Sequence, residues 1–221
     1  MILMADEIYR EITTPDKHDP LVIAPMLDLE SLKNSGAASV DIRLGCWFMS
    51  CRQSRVSVFD VYEKDIPVPS ESKLAKSHYV PFGKEFILHP KAFVLGVTLE
   101  WIRLPSNRAA YVVGRSSWGR HGLIIATATG VHPGFTGCLT LELSNVGEIP
   151  ITVKPGTTIC QLFIHEVRGL DLEKVTHSSF IGRRKPTLGT IKLDPVAQKL
   201  IDGTPSPEES ETVTISYSPF C

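Results

Sequence analysis

Short runs of apolar residues, separated by Pro, Gly, Asn and Ser, make up most of the chain between residues 39 and 166. Runs of this kind, bounded by turn residues, are typical of β-strands. The pattern predicts strands over residues 39–44, 47–50, 56–61, 86–88, 93–104, 109–114, 123–127, 137–144, 149–153 and 158–166. Many short strands with frequent turns favour a closed or two-sheet β architecture.

Helical signals are confined to a few short segments. We predict helices over residues 5–11, 28–34 and 194–203. The last of these has the clearest ends, because Asp194 suits the N-cap, Pro195 suits the first helical position, and Gly203 follows the last turn. The fold class expected from the whole pattern is mainly β with a few short helices.

Domain organisation follows from the same pattern. We expect one β domain over residues 1–203 and a polar C-terminal tail over residues 204–221, which is rich in Pro, Ser and Glu. Residues 67–77, rich in Ser and Lys, are expected to form a solvated loop. The basic stretch within residues 179–190 is either a second solvated loop or a lid that closes over a polyanion.

Composition narrows the class of protein. The chain has 221 residues and a formal net charge of -1, so a broad basic surface for nucleic acid is not indicated. No apolar run has the length that spans a bilayer, and the N-terminus does not resemble a secretory signal. The five cysteines are scattered, without a Cys-x-x-Cys pair, and Cys138 and Cys160 lie in apolar runs. We therefore expect a cytoplasmic protein with reduced, buried thiols.

The first candidate for chemistry is the stretch over residues 114–122, which holds two arginines, two serines and three glycines. Glycines let backbone N–H groups approach an anion, and Arg and Ser side chains bind phosphate oxygens. The stretch therefore indicates a phosphate-binding loop. The alternative is an ordinary turn, in which the arginines are solvated and the serines bond their own backbone.

The second candidate is Glu142, which lies inside an apolar run where a carboxylate is costly to bury. The alternative is an alternating strand whose polar face, shared by Thr140 and Ser144, meets water. A zinc site is not expected, because the His-x-Glu and Pro-Cys-x-x-Cys signatures of zinc deaminases are both missing from the sequence.

Several blocks occur in a fixed order and carry a family resemblance. They are Ser-Val-Asp-Ile-Arg-Leu-Gly at 39–45, Leu-His-Pro at 88–90, Gly-Val-Thr-Leu-Glu at 96–100, Gly-Arg-Ser-Ser-x-x-Arg-x-Gly at 114–122, Pro-Gly-Phe-Thr-Gly-Cys at 133–138, Leu-Glu at 141–142, and Pro-Gly at 155–156 before Ile-Cys-Gln-Leu at 159–162. From about residue 39 to residue 187 the chain resembles the dCTP deaminase family of the dUTPase superfamily. The resemblance implies a distorted jelly-roll or dUTPase-like β-barrel, usually a homotrimer with active sites between subunits.

The resemblance also implies a reaction without a protein-held metal, in which dCTP loses its amino group as ammonia and becomes dUTP. Glu142 matches the general base and proton shuttle, while Ser116 and Arg120 match residues that hold the water and stabilise charge on the ring. Residues that match substrate-binding positions are Arg115, Ser117 and Gln161 for the triphosphate and Ala126, Thr127 and Ala128 for the cytosine edge. Mg²⁺ is expected to arrive on the triphosphate.

Two departures from the family pattern concern the substrate. His132 stands where the family usually has an aspartate that binds the sugar hydroxyl or, in diphosphate-releasing members, activates water. An imidazole can bond a hydroxyl but is a poorer base for water in that role. Arg183 stands in the lid where the family has an amide, so the triphosphate is bound more tightly or the ligand differs from dCTP.

The leading hypothesis is therefore a dCTP deaminase that acts on dCTP or a related pyrimidine nucleoside triphosphate. One alternative is a bifunctional dCTP deaminase and dUTP diphosphatase, or a plain dUTPase, which His132 disfavours. Another is a nucleotide-binding regulator that retains the triphosphate site without turnover. A jelly-roll module for sugars or capsid assembly would explain the strands but not the combination of Arg, Ser and Glu.

Overall fold

The structure is a computed structural model that describes residues 1–26, 28–51, 75–125, 130–168, 181–189 and 194–203. Within these residues the strands are β1 (Val22–Ala24), β2 (Val40–Arg43), β3 (Trp47–Cys51), β4 (Ala75–Tyr79), β5 (Phe86–Leu88), β6 (Phe93–Val97), β7 (Trp101–Arg103), β8 (Arg108–Gly114), β9 (Leu123–Ile125), β10 (Gly130–Val131), β11 (Thr136–Gly137), β12 (Thr140–Asn145), β13 (Ile151–Val153) and β14 (Thr158–Glu166). The helices are α1 (Ala5–Thr13), α2 (Leu29–Asn34), α3 (Ser116–Gly119) and α4 (Pro195–Asp202). The predicted mainly-β fold with a few short helices is confirmed.

Two antiparallel sheets carry most of the fold. Their strand orders are β10-β8-β14-β2 and β4-β3-β6-β12-β9. Two smaller sheets have the strand orders β1-β7-β11 and β13-β5. Because successive side chains alternate between the two faces of a strand, each large sheet turns an apolar set inward. These sets share one buried core, with Val40, Ile42, Val112, Leu162 and Ile164 from the first sheet and Phe48, Val94, Leu123, Leu141 and Leu143 from the second.

Strand β12 shows how this alternation positions a functional side chain. Leu141 and Leu143 are fully buried in the core, while Glu142 lies on the opposite face and is half-buried. The strand pairs with β6 on one side and with β9 on the other, so it is central in its sheet. The backbone at Glu142 is therefore paired with Leu95 of β6, and the pairing with β9 begins at the next residue, Leu143.

The predicted single strand over residues 93–104 is wrong, because the chain bends between β6 and β7. Thr98 turns inward, where its hydroxyl donates to the carbonyl of Glu100 at 2.8 Å and accepts from the N–H of Leu139 at 2.9 Å. The buried Glu100 carboxylate accepts from the backbone N–H of Arg43 at 2.9 Å and from its guanidinium at 3.3 Å. Burial raises the pKa of Glu100, and the bonds from Arg43 oppose that rise.

Other boundaries differ in smaller ways. Residues 75–77, placed in a solvated loop by the sequence, begin β4, whose buried Ala75 packs against Met49 and Leu95. The predicted strand over residues 137–144 is divided between β11 and β12. The predicted strand over residues 56–61 and the predicted tail over residues 204–221 lie outside the described residues and stay predictions.

The N-termini of α1, α2 and α4 are capped by nearby carboxylates. The carboxylate of Glu7 accepts from the backbone N–H of Met4 at the start of α1, and Asp28 accepts from the N–H of Ser31 at the start of α2. Described residues up to Leu188 form one compact unit, and α4 belongs to a second. Asp194 caps α4 by accepting from the N–H groups of Val196 and Ala197, as predicted.

No helix among the described residues is long and apolar enough to cross a membrane.

The cysteines differ in their surroundings. Cys160, on β14, is fully buried, and desolvation raises the pKa of its thiol to about 12. Cys138 is half-buried and Cys51 is exposed, and both are free thiols. The expected buried, reduced thiols are thus found at Cys160 fully and at Cys138 in part.

Candidate active site

Glu142 lies in the wall of a cavity of about 340 Å³. Most of the wall is apolar and comes from Phe93, Leu95, Val112, Val131, Phe135 and Leu139. The polar side chains that line the cavity are those of Glu142, His132, Thr140 and Thr187, and Cys138 and Leu188 complete it together with Gly130. A half-buried carboxylate among apolar groups can exchange protons with a bound molecule, which is the chemistry predicted for Glu142. The alternation that the other interpretation expects is also present, because Thr140, Glu142 and Ser144 share the partly exposed face of β12.

His132 shares this cavity with Glu142 although it lies on a different element. It follows β10, and its carbonyl accepts from the N–H of Phe135 at 3.2 Å, which closes a tight turn. Gly134 in that turn has a φ of 74°, a backbone conformation that favours glycine. The His132 side chain is exposed and reaches the same cavity as Glu142.

A second group of candidate residues gathers at one end of the four-stranded sheet. The guanidinium of Arg115, directly after β8, donates to the carboxylate of Asp41 on β2 at 2.6 Å. The amide of Gln161 on β14 donates to the other oxygen of Asp41 at 3.2 Å and to the hydroxyl of Ser39 at 3.3 Å. Since β14 lies between β8 and β2, the sheet brings two predicted triphosphate ligands to one carboxylate.

The loop after Arg115 forms the short helix α3 and its C-terminal turn. Ser116, Ser117 and Arg120 are exposed on it. Trp118 packs against the core of its own chain and donates from its indole N–H to the carbonyl of Thr158 at 3.0 Å. Trp118 thus anchors the loop to the core, while the two serines and Arg120 remain available to a ligand.

These two groups do not share a cavity within one chain. Arg115, Ser116, Ser117, Arg120 and Gln161 are all outside the set of residues that line the cavity around Glu142. The stretch Ala126, Thr127 and Ala128, predicted to read the cytosine edge, lies outside the described residues. The described part of the chain therefore presents two half-sites: a cavity with Glu142 and His132, and a cationic loop with Arg115 and Gln161.

The basic segment is docked against the sheets rather than free in solvent. Gly182 donates to the carbonyl of Thr136 at 2.7 Å, and the N–H of Cys138 donates to the carbonyl of Arg183 at 2.9 Å. Arg183 and Arg184 are both exposed, and the guanidinium of Arg184 also lies over the ring of Trp101. Sequence reasoning missed Asp41, Trp47 and Trp101; for Asp41 the available signal was its place in the block at residues 39–45.

Comparisons with known proteins identify the family of the chain. A family model described as dCTP deaminase-like matches residues 2–167. The chain is 34% identical over 201 residues to the "dCTP deaminase, dUMP-forming" of Methanobrevibacter smithii, a match that covers 88% of this chain and 97% of that protein. It is 38% identical over 169 residues to the dCTP deaminase of Halorubrum lacusprofundi, covering 76% of this chain and 78% of that protein.

A solved structure supports the fold. The crystal structure of 2'-deoxycytidine 5'-triphosphate deaminase from Agrobacterium tumefaciens superimposes with a TM-score of 0.53 at 21% sequence identity. The match covers 74% of this chain and 46% of that chain, so this protein spans less than half of the solved chain. At this level of identity the likeness concerns the fold alone.

Proposed function

Because the chain belongs to the dCTP deaminase-like family, we propose that it hydrolyses the amino group of dCTP to give dUTP and ammonia. The observation that carries the proposal is the position of Glu142, a half-buried carboxylate in a largely apolar cavity of about 340 Å³. A cavity of this size and character suits a nucleoside, with few polar groups to fix its orientation.

The chemistry needs one group that moves protons. Glu142 takes one proton from the attacking water as the water's oxygen bonds to C4, and passes it to the ring nitrogen. It then takes the second proton from the resulting C4 hydroxyl, which becomes the carbonyl, and passes it to the departing amine. The C4–N bond then breaks and ammonia leaves. Ser116 holds the water, and Arg120 stabilises the charge that develops on the ring.

The triphosphate is bound by the other half-site. Arg115, Ser117 and Gln161 supply a guanidinium, a hydroxyl and an amide, and Arg183 adds a further cation from the docked basic segment. Mg²⁺ enters on the triphosphate, because this ion keeps phosphate oxygens and water as its preferred ligands. Asp41 fits a supporting role here, since its oxygens already accept from Arg115 and Gln161. The backbone of residues 126–128 is proposed to read the cytosine edge.

A complete site requires two copies of the chain. We place the cationic loop of one subunit beside the Glu142 cavity of its neighbour, in a homotrimer. The support is geometric: Ser116 and Arg120 are exposed and do not line the Glu142 cavity of their own chain. Repeating one heterologous contact three times closes a ring and completes three equivalent sites.

The product is a separate question, because relatives named dCTP deaminase and relatives named dUMP-forming both match this chain. His132 favours dUTP as the final product. An imidazole at this position can bond a sugar hydroxyl, but it lacks the carboxylate that would activate water against the phosphate chain. The bifunctional reaction is the second candidate, and the names of the dUMP-forming relatives favour it.

One assay separates these functions. The purified protein is incubated with dCTP and Mg²⁺, and ammonia, dUTP, dUMP and pyrophosphate are measured together. Ammonia with equimolar dUTP supports the proposal. Ammonia with dUMP and pyrophosphate supports the bifunctional enzyme. A parallel incubation with dUTP that gives dUMP and pyrophosphate, without ammonia from dCTP, supports a dUTPase. Tight binding of dCTP without any product would replace the enzyme by a nucleotide-binding regulator.

A further inference from the structure

Residues 181–188, hereafter the strap, form one side of the cavity that contains Glu142. Thr187 and Leu188 line that cavity directly. Leu188 also packs against a small buried cluster of Met49, Ala75 and Leu95. Since Leu95 is the cross-strand partner of Glu142, the end of the strap reaches the strand neighbour of the proposed proton shuttle.

The backbone of the strap is held at its first residues. Two hydrogen bonds, from Gly182 to Thr136 and from Cys138 to Arg183, flank Gly137 on β11. A Cβ added at Gly137 would lie 3.3 Å from the carbonyl oxygen of Arg183 and 3.4 Å from its nitrogen. The close approach of strap and strand thus depends on the missing side chain at this position.

The side chains in the middle of the strap are held differently. The guanidinium carbon of Arg184 lies 4.7 Å from the ring centroid of Trp101, and Nζ of Lys185 lies 3.9 Å from that of Trp47. Both distances are within the range of a cation–π interaction. Trp47 is itself braced by Tyr79, with ring centroids 5.0 Å apart. Two indoles on separate strands, β7 and β3, therefore hold the strap immediately before the residues that line the cavity.

We propose that Trp101 and Trp47 are positioning residues of the nucleotide site, which act through Arg184 and Lys185 to hold Thr187 and Leu188 in the cavity wall. The inference rests on the proposed function for the identity of the ligand. It divides the three consecutive cations of the strap by role. All three side chains are exposed, but Arg184 and Lys185 lie over indole rings and fasten the strap, which leaves Arg183, held through its backbone, to face the triphosphate.

The test uses the full-length protein with leucine and phenylalanine at each indole. Trp101→Leu and Trp47→Leu each raise KM for dCTP about two- to fivefold, as expected for the loss of one exposed cation–π pair. They leave kcat nearly unchanged, because Glu142 lies on β12 and not on the strap. Trp101→Phe and Trp47→Phe retain an aromatic face and recover most of the parental KM. A variant that merely folds less well would lower kcat at constant KM.

A readout without turnover keeps the inference separate from the proposed function. Trypsin cleaves after Arg183 and Arg184 only when the strap leaves its dock, so Trp101→Leu and Trp47→Leu accelerate cleavage there about two- to fivefold. Arg184→Met removes one of the two trypsin sites, so this comparison uses KM and cleavage after Arg183 alone. In both readouts, Trp101→Leu combined with Arg184→Met adds little to either single change, because both remove the same contact. The matched control is Lys33→Met, which removes a cation 5.3 Å from the ring of Tyr9, away from the strap.

The outcomes distinguish two failures. If the parent protein releases no ammonia from dCTP, the proposed function is wrong, and the cleavage rates still decide the role of the indoles. If the parent is active but the leucine variants keep both the parental KM and the parental cleavage rate, the indoles do not position the strap and the inference is overturned. Additive effects of Trp101→Leu and Arg184→Met would overturn it as well.

Discussion

Arg115 and Asp41 form an ion pair of 2.6 Å between the end of β8 and the middle of β2. Gln161 donates to the second oxygen of the same carboxylate at 3.2 Å. Asp41 thereby fixes two side chains relative to each other, although they are far apart in sequence. An ion pair this exposed contributes little to stability, so its main consequence is the orientation of the cationic loop.

Removing Asp41 should therefore weaken nucleotide binding more than it weakens the fold. Asp41→Ala is expected to raise KM for dCTP about five- to 160-fold, because two long side chains must then be ordered on binding at about 0.5–1.5 kcal/mol each. The control is Asp19→Ala, which breaks a similarly exposed pair with Arg103 at 3.2 Å and should leave KM unchanged. A lower KM in Asp41→Ala would mean that the carboxylate competes with the phosphates instead.

Glu142 gives the sharpest separation of chemistry from binding. Glu142→Gln is expected to reduce ammonia release about 100- to 10,000-fold, because an amide cannot carry the proton. Binding of dCTP, measured by calorimetry, should change little, since the amide has nearly the same shape. Glu148→Gln, in the exposed turn after β12, is the control and should keep full activity. Turnover of Glu142→Gln at the parental rate would remove Glu142 from the mechanism.

The proposed shared site can be tested by mixing two inactive variants. Arg115→Met removes the guanidinium of the cationic loop, and Glu142→Gln removes the carboxylate of the cavity. Neither variant is therefore expected to be active alone. If each site combines two chains, randomly assembled mixtures should regain activity at about a quarter of their sites. Each variant must first show the parental oligomeric state by light scattering. A mixture as inactive as its components would place both halves of the site within one chain.

His132 should set how strongly the sugar is recognised. A hydrogen bond to an uncharged partner contributes about 1 kcal/mol, whereas one to a carboxylate contributes about 1.5–3 kcal/mol. The preference for dCTP over 2',3'-dideoxy-CTP, measured as a ratio of kcat/KM, should thus rise about two- to thirtyfold in His132→Asp. We also expect this variant, unlike the parent, to release pyrophosphate. An unchanged ratio would show that His132 does not contact the sugar.

Glu100 predicts the sign of one pH effect on stability. Burial raises the pKa of its carboxyl above the ordinary value of 4.5. The folded state therefore binds the proton more tightly, and the stability this contributes is lost as pH rises from 4.5 through the folded pKa. In urea unfolding at a series of pH values above 4.5, the free energy of unfolding of Glu100→Gln should lack this decline.

The absolute stability of that variant is a separate matter. Glu100→Gln should be less stable than the parent at acidic pH, because both carboxylate oxygens accept from Arg43 and the amide replaces one acceptor by an NH₂ donor at a buried site. Glu85→Gln, at an exposed pair 3.8 Å from Lys154, is the control and should change the free energy of unfolding by less than about 1 kcal/mol. Equal pH slopes for the parent and Glu100→Gln would contradict the expectation.

The sequence was sufficient to predict those helices and strands whose pattern lies entirely in their own residues. The alternation along β12 and β14 and the cap and proline of α4 could be read directly from the sequence. The bend between β6 and β7 could not be read, because its cause is a partner far away. Glu100 is a charged residue type that the sequence alone would place at the surface, and its partner in the interior, Arg43 on β2, lies far away in the sequence.

The same limit applies to the candidate site. Residue types singled out Arg115 and Glu142, whereas Gln161 was selected through the family resemblance of its block. Their grouping into two half-sites depends on which strands pair, and that is a property of the whole sheet. The role of Trp47 and Trp101 could not be predicted from the sequence. A tryptophan in a strand is interpreted as ordinary packing until the structure shows a cation over its ring.

The contrast between Cys160 and Cys51 has a practical consequence. A thiol whose pKa is raised to about 12 inside the sheet cannot react with iodoacetamide while the strands stay paired, whereas Cys51 is open to the reagent. Once Cys51 is alkylated, the rate of alkylation at Cys160 reports how often the domain unfolds globally. Mass spectrometry at this one sulfur atom therefore measures how often the native protein unfolds, without any denaturant.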